Sequence, residues 1–244
     1  AALGLTELPC IRRPRVALIS TGDELVQPGN PLPPGHIYDS NTLMLATHLH
    51  RMGAEVACKF TASDHVGTVR DCIGQALQHG VDLIITSGGI STGDFDLVKD
   101  ALSLDGTIDF WQILMRPGKP LAFGAIGTTP LIGLPGNPIA AFVGCALFVR
   151  AHLAQLQGLD PEPPLVEAFC AEPIRNGSHK RHFLRGTHTL QDGQLHVRLA
   201  GGQMPNQFAT LAHSTCLIVA HESREHYAIG DRISILPLDA LGAL

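Results

Sequence analysis

An α/β domain built on a mostly parallel sheet, with a small all-β domain after it, is the architecture this 244-residue sequence predicts. Three observations lead there. Up to about residue 158, short apolar runs alternate with segments of helical period. Those runs are apolar on both faces, as expected of strands covered by helices on each side, a three-layer α/β/α domain. Beyond the Pro-rich stretch "LDPEPP" (159–164) the period changes to two, and "HTLQDGQLHVRLA" places an Asp192-Gly193 turn between alternating runs, a hairpin signal. The predicted division is therefore 1–158 for the α/β domain and 165–244 for the β domain.

Each element has its own grounds. "VALIST" (16–21) is a buried strand bounded by Pro14 and Gly22, and "QPGNPLPPG" is a Pro/Gly loop. A helix follows in "YDSNTLMLATHLHRMG": Asp39 or Ser40 caps it, Leu45, Leu49 and Met52 share a face, and Gly53 ends it. "AEVACKFTA" is the second strand. Val66, Val69, Ile73, Ala76 and Leu77 keep a helical period up to Gly80, and "VDLIIT" is the third strand. A helix is expected through Leu97 to Leu102, then strands at "IDFWQILM", "LAFGAI" and "PLIGL". "NPIAAFVGCALFVRAHLAQLQG" is a long helix with Pro138 in its first turn, where a missing N–H costs little. "CLIVA" and "DRISILPL" complete the β domain.

Composition excludes several classes. The net charge of -5 gives no general attraction to nucleic acid. No apolar stretch reaches eighteen residues, so no membrane span is expected. The six cysteines show no C-x-x-C spacing and mostly sit in apolar surroundings, which suits buried free thiols and a cytoplasmic setting. His48-x-His50 and His179-x-x-His182 lack a third ligand at zinc spacing. No Walker sequence is present. The chain begins without Met and enters its first strand almost at once, so it is expected to be a fragment.

Ligands of doubly wound sheets collect beyond the carboxyl ends of the strands. Four polar stretches fall there: "STGDEL", "TASDH", "TSGGISTGDFD" and "GLPGNP". Gly88 and Gly89 let backbone amides approach an anion, and Ser87, Ser91 and Thr92 add hydroxyls. Asp94 and Asp96 repel an anion directly but can hold a hard cation that binds it from the other side. Asp23, Glu24 and Asp64 bring acid to the same edge, and together these loops suggest magnesium. Arg116 and Lys119 of "MRPGKP" suit an oxyanion. "GLPGNP" offers Asn137. The same residues also have ordinary structural uses: Asp23, Asp64, Asp94 and Asn137 as helix caps, and Arg116 and Lys119 as solvated charges of an exposed turn.

"STGDEL", "IYDSN", "SGGISTGDFDLVKD", "RPGKPLAFG" and "GLPGNP", in this order, resemble the molybdopterin molybdenumtransferases, the MoeA and gephyrin E-domain proteins. The resemblance is strong over residues 14 to about 156 and looser in the tail. It implies a molybdopterin-binding fold that inserts molybdate into the dithiolene of adenylylated molybdopterin, with Mg²⁺ and release of AMP. It further implies Glu24, Asp64 and Asp96 as functional carboxylates, with Asp64 and Asp96 on the metal. Gly88, Gly89 and Ser91 would cradle phosphate, Arg116 and Lys119 would bind phosphate or molybdate, and Arg185 of "FLRG" would reach in from the tail. A homodimer with a composite site, completed by two N-terminal domains that are absent here, is also implied. Three positions depart from the pattern: His65 where a second aspartate is common, Gln112 where some members have Lys, and Thr210 where a serine is expected. An adenylyltransferase of molybdopterin on the same fold and a non-catalytic scaffold are the alternatives.

Overall fold

The structure, a computed structural model, describes residues 2–89, 98, 100, 101 and 106–242. The first part of the chain forms β1 (Arg15–Thr21), β2 (Leu25–Val26), β3 (Ile37–Tyr38), α1 (Ser40–Arg51), β4 (Glu55–Ala62), α2 (Val66–Gln78) and β5 (Leu83–Ser87). It continues with β6 (Thr107–Gln112), β7 (Met115–Arg116), β8 (Pro120–Ile126), β9 (Thr129–Leu134) and α3 (Pro138–Leu156). Six of these strands make one sheet in the order β4-β1-β5-β9-β8-β6. The β4, β1, β5 and β9 strands run parallel, and β8 and β6 add antiparallel at one edge.

Alternation along β1 shows why both faces are apolar. Val16 and Leu18 pack in one core with Leu45 and Leu49 of α1 and with Phe142 and Val149 of α3. Ala17 and Ile19 pack in the other with Val69, Ile73 and Ala76 of α2. Asp39 is the N-cap of α1, its carboxylate accepting the Thr42 amide at 3.0 Å. Of the helix expected at 97–102, Val98, Asp100 and Ala101 are helical, and its remaining positions lie outside the described residues.

Contrary to the sequence expectation, helix α3 is long and apolar enough to cross a membrane, with 19 residues and a mean hydropathy of 1.7 over an 18-residue window. It is a core helix: residues Ile139 to Gly144 are all buried against the sheet. Its middle, Cys145–Val149, is a π-turn between two α-helical halves. Such turns are rare and leave no sequence signal.

The tail consists of β10 (Val166–Cys170), β11 (Ile174–Arg175), β12 (Arg181–Gln191), β13 (Gln194–Leu199), α4 (Ala209–Ala212), β14 (Cys216–Ala220), β15 (His226–Tyr227) and β16 (Arg232–Pro237). The β12, β13, β10, β16 and β14 strands pair in sequence, and β14 returns to β12, which closes a small barrel. Asp192 (φ 49°) and Gly193 (φ 76°) form the expected tight turn of the β12–β13 hairpin.

The "IDFWQILM" run is not one strand. It breaks after Gln112, and β7 leaves the first sheet to pair in parallel with β12 of the tail, Met115 opposite Arg181 and Arg116 opposite His182. The Ile113 amide bonds back to the Lys119 carbonyl at 3.1 Å, which closes the "RPGKP" turn and aims β7 at the barrel. Met115, Phe183, Leu217, Leu236 and Leu241 accordingly join the same core as Leu121, Leu134 and Phe142.

Candidate functional site

The ends of β1, β5 and β9 meet under a cleft of about 310 Å³. Glycine makes that meeting possible. Gly88 and Gly89 have φ of 89° and 65°, a conformation that side chains resist. A Cβ at Gly88 would stand 2.6 Å from the Thr21 carbonyl oxygen and 2.8 Å from Thr21 Oγ1, and one at Gly89 2.8 Å from the same hydroxyl. Gly136 lies in ordinary contact with this turn, its would-be Cβ 3.5 Å from the Gly88 Cα. The Gly88 amide donates to the Leu134 carbonyl at 3.1 Å.

Asn41, in the first turn of α1, ties these ends together. Its Nδ2 donates to Ser87 Oγ and to the Gly136 carbonyl, both at 2.8 Å. Asn41 Oδ1 and Thr21 Oγ1 are buried without a hydrogen-bond partner, and both residues line the cleft. Unsatisfied buried polar atoms are uncommon in folded proteins, and a ligand or water in the cleft would satisfy these two.

The acidic edge adjoins this floor. Glu24 and Asp64 line the cleft. The Asp64 amide donates to Asp23 Oδ1 at 3.2 Å, and the Asp23 amide returns a bond to Asp64 Oδ2 at 3.4 Å, so the two loops hold each other. Asp64 does not cap α2. The N-cap is His65, which makes no capping bond with its side chain. Among the described residues no three acidic, histidine or cysteine groups are close enough to cage a metal ion. Mg²⁺ needs only one or two carboxylates when ligand oxygens and waters complete its shell. The all-oxygen donors present fit a cation of that kind. Asp96 and Ser91 lie outside the described residues.

The predicted cations are elsewhere. Arg116 and Arg185 line a separate cavity of about 30 Å³ at the seam between the sheet domain and the barrel, with His182 and Gln203. That is room for about two waters at roughly 10–15 Å³ each, a space for a small oxyanion rather than a ring system. Arg185 is only 3% exposed. Its Nη2 donates to the carbonyls of Gly202 (2.7 Å) and Met204 (3.4 Å), its Nε has no partner, and burial lowers its pKa. Burial, aided by Arg116 and Arg185, pushes His182 down to about 4, so its imidazole is neutral near pH 7. Lys119 is exposed and lines neither cavity. Asn137 is committed to structure: Oδ1 accepts the amides of Ile139 and Ala140 to cap α3, and Nδ2 donates to the Pro205 carbonyl of the tail.

Thr21, Tyr38 and Asn41 are not among the site residues the sequence suggests, and Asp39 is expected there only as a helix cap. All four line the cleft. The "IYDSN" stretch carries three of them and was the available signal. A larger, mainly apolar cavity of about 610 Å³ between α1 and α4 contains none of the predicted residues.

The family described as "Probable molybdopterin binding domain" matches residues 17–155, and the "MoeA C-terminal region (domain IV)" matches residues 167–238. The molybdopterin molybdenumtransferase of Haemophilus influenzae is 35% identical over 99% of this chain, and molybdopterin molybdenumtransferase 2 of Mycobacterium tuberculosis is 38% identical over 98%. The chain spans 60% of the length of each of these curated relatives. The crystal structure of a molybdopterin biosynthesis moea protein from Pyrococcus horikosii superposes with a TM-score of 0.76 at 27% identity, covering 92% of this chain and 54% of the other.

Proposed function

From the premise that this chain belongs to the molybdopterin molybdenumtransferase family, we propose that it carries the molybdate-insertion site acting on adenylylated molybdopterin. The observation that carries this reading is the single cleft uniting Glu24, Asp64 and the Gly88–Gly89 turn. The unpartnered Thr21 hydroxyl and the close backbone approach that the two glycines allow suit phosphate oxygens, and the carboxylates suit a hard cation on the same phosphate. In this reading residues 1–158 are a three-layer α/β/α molybdopterin-binding domain and residues 165–244 a C-terminal all-β domain.

The residues divide the work by chemistry. Asp64 and Asp96 would hold a Mg²⁺ that neutralises phosphate charge while AMP leaves. Glu24 shares the cleft wall and would orient a water whose oxygen bonds to the phosphorus of the molybdopterin phosphate as the phosphoanhydride P–O bond to AMP breaks, the water proton passing to the carboxylate. Gly88, Gly89 and Ser91 seat the phosphate. Arg116 and Arg185 hold the molybdate substrate at the seam, where neutral His182 leaves both positive charges available to it. Lys119 adds long-range attraction from the exposed turn, and Asn137 keeps the last loop in place through its cap. Molybdate is already an oxyanion, so fixed donors and cations suffice without a covalent nucleophile. A homodimer in the cytoplasm is the proposed working form.

The test is AMP release from adenylylated molybdopterin with Mg²⁺ and molybdate, together with activation of an apo-molybdoenzyme by the product. Release should depend on molybdate and disappear in Asp64→Asn, with the melting temperature unchanged because the carboxylate is exposed. Molybdate-independent release, or full activity of Asp64→Asn, would overturn the assignment. Formation of adenylate from ATP and molybdopterin would establish the adenylyltransferase instead.

A further inference from the structure

The floor of the cleft is glycine, hydroxyl and carboxylate, but its rim is not. Ile37 and Tyr38 are neighbours on β3, are 55% and 44% exposed, and line the cleft with half-buried Leu25. Single exposed apolar residues are ordinary on any surface. Three that border one polar cleft are a different matter, because the rim then offers an apolar face just where the floor offers donors to an anion.

The rim is also held rigidly. Tyr38 lies between two anchored amides: Ile37 N–H donates to the Glu24 carbonyl and Asp39 N–H to the Val26 carbonyl, both at 2.9 Å. The Tyr38 hydroxyl donates to the Asn30 carbonyl at 3.0 Å and fixes the ring against its own loop. The β2–β3 ribbon therefore carries the Glu24 carboxylate and the Tyr38 ring as one unit. A cleft of about 310 Å³ exceeds what a lone oxyanion fills and matches the lower range of small-molecule pockets.

We propose that Tyr38 is the ring platform of this cleft, a specificity residue that stacks a planar heteroaromatic ring whose phosphate sits on the Gly88–Gly89 turn. The proposal rests on the cleft being the phosphate site described above. It names the residue that distinguishes a ring-bearing phosphate from a bare sugar phosphate. An adenine and a pterin share this chemistry, so both are probed.

The experiment measures, by calorimetry with Mg²⁺, binding of AMP, neopterin phosphate and ribose 5-phosphate to the 244-residue chain. At least one ring-bearing phosphate should bind more tightly than ribose 5-phosphate, and which one does so identifies the ring. Tyr38→Ala should weaken that ligand by about 5- to 150-fold, the range of base–aromatic stacking, while ribose 5-phosphate changes by less than about twofold. Tyr38→Phe should keep the affinity. Tyr38→Leu, which retains apolar bulk without the ring, should behave as Tyr38→Ala and serves if Ala loosens the ribbon. Ring protons of the bound ligand should shift upfield in the native protein and in Tyr38→Phe only. Equal affinity for the three ligands, or an equal loss of all of them in Tyr38→Ala, overturns the platform and leaves the phosphate seat standing. Failure of the native chain to bind any of them removes the cleft reading, and the platform with it.

Discussion

Gly88 is the position at which the cleft tolerates change least. Its φ of 89° disfavours any side chain, and an added methyl would meet a backbone oxygen, which cannot swing aside as a side chain can. Gly88→Ala is expected to cost about 1–3 kcal/mol, read as a lower urea midpoint, together with loss of phosphate binding. Native-like values for both would mean that Thr21 retreats freely. At the opposite end of β5, Asp82 accepts two bonds from the Arg12 guanidinium, both 2.6 Å, and one from the Arg15 amide at 2.7 Å. The hydrogen bond from Arg12 is the main cause holding the Asp82 carboxyl below its ordinary value of 3.8. A carboxyl depressed on folding stabilises the native state above its unfolded value and stops doing so as pH falls through the lower folded value. Asp82→Asn should therefore narrow the stability difference between pH 5 and pH 3 relative to the parent, by a modest amount because Arg12 is exposed and solvent-screened. Identical acid titrations of stability in the two proteins would show that the pair contributes nothing.

Among the elements, α1 shows how one cap serves both fold and site. Asp39 accepts from the Thr42 amide and hydroxyl and from Gln27 Nε2, so it starts the helix and pins the "QPGNPLPPG" loop together. Asp39→Ala should cost roughly 0.5–2 kcal/mol and lower the melting temperature by about 2–4 °C per kcal/mol in a chain of this size. It should also weaken phosphate binding, because Asn41 follows on the same turn. An unchanged melting temperature would assign the cap to Ser40. The strands and helices of the first sheet were legible because Gly and Pro punctuate runs whose apolar faces match their neighbours. The cleft was legible for a related reason: strand ends that must converge need glycine, and glycine next to hydroxyls and carboxylates is conspicuous in sequence. Pairing across long separations was not legible. Nothing in "QILMRPG" announces that Met115 and Arg116 will lie beside Arg181 and His182, since a two-residue strand has no period and its partner is chosen by packing. Asn41 was hidden for a different reason: a side chain that bonds Ser87 and Gly136 is recognisable only once three loops are in place.

At the scale of the whole molecule, the sheet domain and the barrel are joined by more than the 159–164 linker. The β7 strand adds to β12, Asn137 reaches the Pro205 carbonyl, and one apolar core contains Leu121 and Phe142 from one side with Phe183, Leu217 and Leu236 from the other. The seam cavity takes Arg116 from the first part and Arg185 from the second, so it exists only while the two are docked. A shared core of this kind should make the chain unfold as one cooperative unit even though its two parts differ in architecture. Calorimetry of the native chain is expected to show a single transition with matching calorimetric and van't Hoff enthalpies. Phe183 is the side chain to remove, because it lies on the barrel and packs into the joint core. Burial of this kind makes Phe→Ala worth about 3–5 kcal/mol, a large share of the roughly 5–15 kcal/mol typical of folded domains. Phe183→Ala should lower the transition without splitting it, and it should weaken molybdate binding at the seam more than phosphate binding in the cleft. Two resolved transitions in the native protein would show that the parts fold independently, and a seam site assembled by docking would then have to be held by its ligand rather than by the core.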